Sequence, residues 1–135
     1  MATIAQVRTA LASAVTDGTG LRAEPLVLDS VNAPVAEVVR RPMDPRYIFS
    51  GTKANYALTV RVYWPRTAER TAQEGLDRLC EIQGSGSMVA AVEDGANWPD
   101  DLVDYAQVVR VGEVLAVERG GVEYLVVDFD VEVVW

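Results

Sequence analysis

The stretch Val122-Glu123-Tyr124-Leu125-Val126-Val127-Asp128-Phe129-Asp130-Val131-Glu132-Val133-Val134-Trp135 decides how the rest of the chain is read. Side chains alternate across a strand with period two, so Leu125, Val127, Phe129, Val131, Val133 and Trp135 share one face, and that face is the expected core. Tyr124, Val126, Asp128, Asp130 and Glu132 share the other, which sets three carboxylates in a row roughly 6 to 7 Å apart. That second face is expected to be wet or functional. Upstream, the run from Asp104 to Glu118 is equally rich in valine and is joined to this strand by Arg119-Gly120-Gly121. Residues 103–135 therefore read as a long hairpin, with Gly112 marking a bulge or bend.

Working back from the hairpin, Asn55 to Trp64 is a second half-buried strand: Tyr56, Leu58, Val60, Val62 and Trp64 alternate with Asn55, Thr59 and Arg61. Pro34 to Arg41, with Val35, Val38 and Val39, is a third. Between these two strands, Met43 to Ala54 breaks pattern. Asp44-Pro45 and Ser50-Gly51 are turn chemistry, yet Tyr47, Ile48 and Phe49 stand between them, and three large apolar residues in a loop want a partner. They are candidate subunit or partner contacts, or else they form an edge strand or tuck back onto the core. The segment from Leu21 to Asn32 carries Pro25 and mixed patterning and reads as a loop or a short edge strand around Leu26 to Leu28.

Helices are expected in three places. Ile4, Val7, Ala10, Leu11, Ala14 and Val15 recur at helical spacing behind a capping Thr3, and Asp17-Gly18-Thr19-Gly20 ends that helix. A second runs from a cap at Thr67 to about Ile82, with Ala68, Ala72, Leu76, Leu79 and Cys80 as its buried stripe and a Glu74–Arg78 pair on its solvated side. A short third, Met88 to Asp94, is capped by Ser87. The order of elements gives an α+β class: a mixed or antiparallel sheet with a long terminal hairpin and helices packed on one face, in one domain over residues 1–135.

Composition narrows the chemistry. The formal net charge is −8, with eleven arginines and one lysine among the basic residues. That balance argues against a nucleic-acid binder, which needs clustered cations to neutralise phosphates. With no histidine, imidazole bases, histidine-containing triads and histidine-ligated zinc are ruled out, and with Cys80 alone so are an internal disulfide and any multi-cysteine metal site. Gly84-Ser85-Gly86-Ser87 lacks the lysine and preceding parallel strand of a phosphate-binding loop, so it reads as a hinge between helices. Asp100, Asp101 and Asp104 lack calcium-loop spacing. No catalytic, cofactor or metal residue is singled out. Asp128 with Asp130 could pair as carboxylates of an enzyme, but the sequence offers them no partner acid, base or metal.

On this order of elements the chain resembles the tail terminator proteins of long, non-contractile-tailed bacteriophages. The resemblance runs through the opening Met1-Ala2-Thr3-Ile4 helix, the strand Tyr56 to Trp64, and the segment Leu79 to Asp94 with its Gly84-Ser85-Gly86-Ser87-Met88 hinge and Ala90-Ala91-Val92-Glu93 run. It ends in the strand Val122 to Val133. Head-completion and stopper subunits of the same neck region share this size and composition. What the resemblance implies is a structural virion protein and no enzyme: a homo-hexameric ring at the head–tail junction, assembled in the host cytoplasm. The ring would cap the tail tube protein, end tail elongation and dock on the head-completion or stopper protein, while DNA passes its bore without specific binding. Asp128, Asp130 and Glu132 are the candidate channel-facing residues, and a salt-bridged sheet face is the plainer reading of the same three. A free-standing cytosolic binding module is the other class the composition allows.

Overall fold

The computed structural model describes residues 3–41, 49–50, 53–66, 69–84 and 86–134. The expected contacts Tyr47 and Ile48, the Thr67 cap and Trp135 lie outside the described residues. Chain order is α1 (Ile4–Thr19), β1 (Arg22–Glu24), β2 (Val35–Arg40), β3 (Phe49–Ser50), β4 (Lys53–Pro65), α2 (Glu69–Cys80), α3 (Met88–Glu93), a 3₁₀ turn (Gly95–Asn97), β5 (Tyr105–Val111), β6 (Leu115–Arg119) and β7 (Val122–Val134). The class is α+β, as the periodicities require.

One sheet carries the fold, in the order β1-β2-β4-β7-β5, with β6 also on β7 and β3 on β4. Among the described residues β1 alone runs parallel to its neighbour, and the remaining pairings are antiparallel, so the sheet is mixed. The long strand β7 lies between β4 on one side and β5 and β6 on the other. Val60 pairs with Phe129, Leu58 with Val131 and Val62 with Val127 across the β4–β7 ladder.

These residues, with Ala36, Val38 and Ala106, make one apolar face, and α1, α2 and α3 all bury side chains against it. Val7, Leu11, Ala14 and Val15 supply the α1 stripe and Leu76 and Leu79 that of α2, while Met88 and Val92 come from α3; all are buried. The start of α1 is fixed by a reciprocal capping box: Thr3 Oγ1 accepts from the Gln6 amide (3.2 Å), and Gln6 Oε1 accepts from the Thr3 amide (2.9 Å). Gly20 ends it in the left-handed region at φ 76°, where its N–H donates to the Thr16 carbonyl. Gly18 lets α3 approach, since a Cβ there would come within 2.3 Å of the Ala91 Cβ. Trp98 pins the connection after α3, its indole N–H donating to the Val92 carbonyl at 2.8 Å.

The partner run of β7 bends where Gly112 was expected to bend it: β5 and β6 lie end to end along β7 with the break at Gly112, whose N–H still donates to the Asp128 carbonyl (2.7 Å), and a register shift falls upstream between Val108 and Arg110. Two expectations change. The edge strand upstream is Arg22–Glu24, with Leu26 and Val27 beyond it and exposed. The α2 helix stops at Cys80, and Ile82 is exposed, because the chain bends at once into the glycine-containing connection.

Candidate interaction surface

The sheet face opposite the helices divides into an apolar and a charged half. Strand register explains the division. At one end Val35, Tyr63 and Val126 fall in one row across β2, β4 and β7, and Tyr124 in the next. Residues 25–34 cross over them, and Leu28, Val35, Tyr63, Tyr124 and Val126 form a second buried cluster with Val31 and Ala33 at its margin. The expectation that Tyr124 and Val126 belong to a wet face is thus corrected: a loop covers them. Tyr63 and Tyr124 meet edge to face at 5.9 Å.

At the boundary between the halves sits a buried polar clasp. Glu37, in the middle of β2, is almost fully buried. Its carboxylate accepts from the Leu28 amide (2.9 Å), the Tyr63 hydroxyl (2.9 Å) and Arg119 Nη1 (3.5 Å). Arg119 closes the arrangement by donating to the Tyr63 hydroxyl (3.0 Å) and the Leu28 carbonyl, and its guanidinium lies 5.4 Å from the Tyr63 ring centroid. Burial, followed by the bond to Glu37, pushes the Tyr63 phenol above its ordinary range. The last residue of β6 is thereby tied across the sheet to β2 and to the covering loop. Sequence reading passed over all three residues, taking Arg119 for a turn residue. The available signal was a lone glutamate between Val35 and Val39 on one face of an apolar strand.

The charged half holds the acidic ladder. Asp128 receives both Nε (2.9 Å) and Nη2 (3.3 Å) of Arg61, its register partner on β4, and this forked bond raises the Arg61 pKa. Asp130 accepts from the Thr59 hydroxyl (2.9 Å), and Arg41 Nε stands 3.9 Å from it while Arg41 Nη2 donates to the Val131 carbonyl (2.9 Å). Arg110 on β5 is in register with Asp130 from the other side. Glu132 is flanked by Ala57 and Gln107. Asp128 and Asp130 are therefore matched by cations within the sheet, and Glu132 is the rung whose register neighbours are uncharged.

The remaining surface of note is the edge. Strands β5 and β6 together run the length of β7, about 40 Å for thirteen residues at strand spacing. Along and beside them Val109, Val111, Val114, Leu115, Val117 and Val122 are exposed. The opposite edge is the three-residue β1, followed by exposed Leu26 and Val27. Of the sequence-predicted contacts, Phe49 is placed: it belongs to β3 and pairs with Ala54 at the start of β4. Cys80 is half-buried, and burial, with Asp77 nearby, raises its thiol pKa. Among the described residues no three acidic or thiol side chains converge as cation ligands, and no helix is long and apolar enough to cross a membrane.

No family model matches the chain, and no curated protein matches it.

Proposed function

We propose that this chain is a structural ring subunit of the head–tail junction of a long-tailed bacteriophage, with tail terminator as the specific role and head-completion or stopper subunit as its near alternative. The observation that carries the reading is the β5–β6 edge. Among the described residues nothing further pairs with this edge, and an open strand edge with exposed valine and leucine beside its charges is a template for association. Here the two sheet edges differ in length and sequence, so contact between copies through them is heterologous. Heterologous contacts close into rings when the rotation allows.

In this reading the ring caps the tail tube, presents its other side to the head, and lets DNA through its bore. The acidic ladder lines that bore as a largely charge-balanced wall, with Glu132 as its net negative rung. The function requires no reactive group.

Mass photometry at high concentration, with and without tube subunits, tests the proposal. The expected result is a closed oligomer of six copies, formed alone or on the tube, and its loss on Leu115→Glu with Val117→Lys while the helical circular dichroism is kept. A species no larger than a dimer under every condition, or normal assembly by the edge variant, overturns it.

A further inference from the structure

We infer that copies of this chain join by seating β1 of one, antiparallel, against the break between β5 and β6 of the next, with Arg22 beside Glu113 and Glu24 beside Arg110. The inference rests on the ring reading above and names the joint which that reading leaves open. Strand direction fixes the polarity. β1 runs with β2, and each further step across the sheet, to β4, to β7 and to β5 and β6, reverses direction, so the two edges of one sheet run opposite ways. Register fixes the height. Arg22 stands in one row with Val35, Tyr63, Val126 and Leu115, and Glu24 stands in the next row but one with Glu37, Arg61 and Asp128, whose carbonyl accepts from the Gly112 N–H. The three residues of β1 are therefore level with residues 112–114, which belong to no strand. Copies related by rotation about an axis along the strands, with no climb, bring these two stretches together, and a closed ring is such an arrangement.

Charge agrees with this placement. Arg22 and Glu24 share the sheet face of Val35 and Glu37, and their side chains are about half exposed. Arg110 and Glu113 are exposed too, and they open onto the same face, where with Asp128 and Asp130 they line a depression of about 180 Å³. Followed along β1, the incoming edge presents a cation and then an anion, while the receiving edge presents Glu113 and then Arg110. Both contacts are thus of opposite sign, whereas a parallel joint would set Arg22 by Arg110 and Glu24 by Glu113. Complementarity of this kind selects a partner and fixes its register. Apolar side chains flank the charges: Val111, Val114 and Leu115 are exposed at the break, and Leu26 and Val27 are exposed just past β1. A strand laid on an open edge covers its unpaired backbone as well. Because a rotation keeps faces on the same side, the charged halves of successive sheets line one side of the ring.

Disulfide trapping in the full chain on a Cys80→Ser background tests this. Within one chain the two edges lie four strand spacings apart, about 19 Å and far beyond disulfide reach, so a bridge between them joins two copies. Tagged Arg22→Cys protein is mixed with untagged Glu113→Cys protein at high concentration and on tail tubes, then mildly oxidised. A mixed cross-linked dimer is expected, absent when Gln107→Cys, roughly 15 to 20 Å farther along the same edge, replaces Glu113→Cys. Arg22→Glu should raise the concentration needed for assembly about fivefold at low salt, the effect of one surface ion pair, and adding Glu113→Arg should restore it. No mixed product, equal product with the Gln107→Cys control, or Glu113→Cys protein bridging to itself as readily as to Arg22→Cys each overturns the inference. The two readings separate cleanly: six-membered rings without the cross-link remove the inference and leave the ring, whereas the specific cross-link in open-ended filaments removes the ring and leaves the joint.

Discussion

Replacing Arg119 with methionine removes one arm of the buried clasp while keeping most of its volume. The change deletes the 3.5 Å contact to Glu37, the 3.0 Å bond to the Tyr63 hydroxyl, the bond to the Leu28 carbonyl and the stacking on the Tyr63 ring. Breaking a fully buried ion pair by removing one partner costs about 3 to 5 kcal/mol. The Arg119 side chain is 28% exposed and its contact to Glu37 is long, so solvent replaces part of what is lost. The expected cost is about 2 to 3 kcal/mol, taking the partly exposed pair at about 2, below the fully buried range, and the cation–π contact at under about 1. Glu37→Met in the same protein removes the buried carboxylate itself, and Arg119→Met on that background should cost only about 1 kcal/mol, because no buried anion is then stranded. Urea unfolding of the four proteins, read at constant slope, measures the cycle. A single-variant cost below about 0.5 kcal/mol, or the same cost on both backgrounds, would mean that the clasp is a solvated contact and that the reasoning from burial is wrong.

Three further outcomes follow from the same structure. The folded-state pKa of Tyr63 is raised, so its contribution to stability is fully present below the ordinary tyrosine value near 10 and is lost as pH rises through the folded value; Tyr63→Phe should flatten the alkaline limb of a pH–stability profile in that window, and an unchanged limb refutes the assignment. Gly18→Ala drives a methyl to 2.3 Å from the Ala91 Cβ and 2.7 Å from its backbone Cα, which should cost about 1 to 3 kcal/mol in thermal unfolding and be only partly relieved by Ala91→Gly, because the backbone contact remains. The Cys80 thiol, its pKa raised by burial and by Asp77, should react with a disulfide reagent at neutral pH more slowly than a free cysteine peptide, and a rate equal to the peptide's would place it in the open.

The elements with strict periodicity were legible from sequence because each has one face buried and the other free. The α1 helix announces itself through Val7, Leu11, Ala14 and Val15 and its Thr3 cap, and β4 and β7 through their alternating rows. What sequence could not supply was which segment covers which face. Val126 reads as an outward residue by parity alone, and only the path of residues 25–34 over the sheet buries it. The pairing of Asp128 with Arg61 follows from a β4–β7 register linking residues 67 apart, which no local pattern encodes. The clasp is harder still, since Glu37, Tyr63 and Arg119 come from three strands and only the sheet order brings them together. Glu132, by contrast, was placed on the ladder by parity and stands there.

The central position of β7 bears on when this protein becomes folded. Strands β2 and β4 can pair as soon as both are made, but among the described residues β5 and β6 pair with β7 alone, and β4 lacks its second long neighbour until β7 arrives. Phe129, Val131 and Val133, which complete the surface the helices pack on, arrive with it. A nascent chain that has emitted everything up to Gly121 therefore exposes a half-built sheet and three helices with no floor. Folding waits for the last strand and is then close to all-or-none, with its slow step in closing pairings some seventy residues apart, such as Thr59 with Asp130. If copies associate through the β5–β6 edge as proposed, that delay keeps the edge from existing before the subunit does.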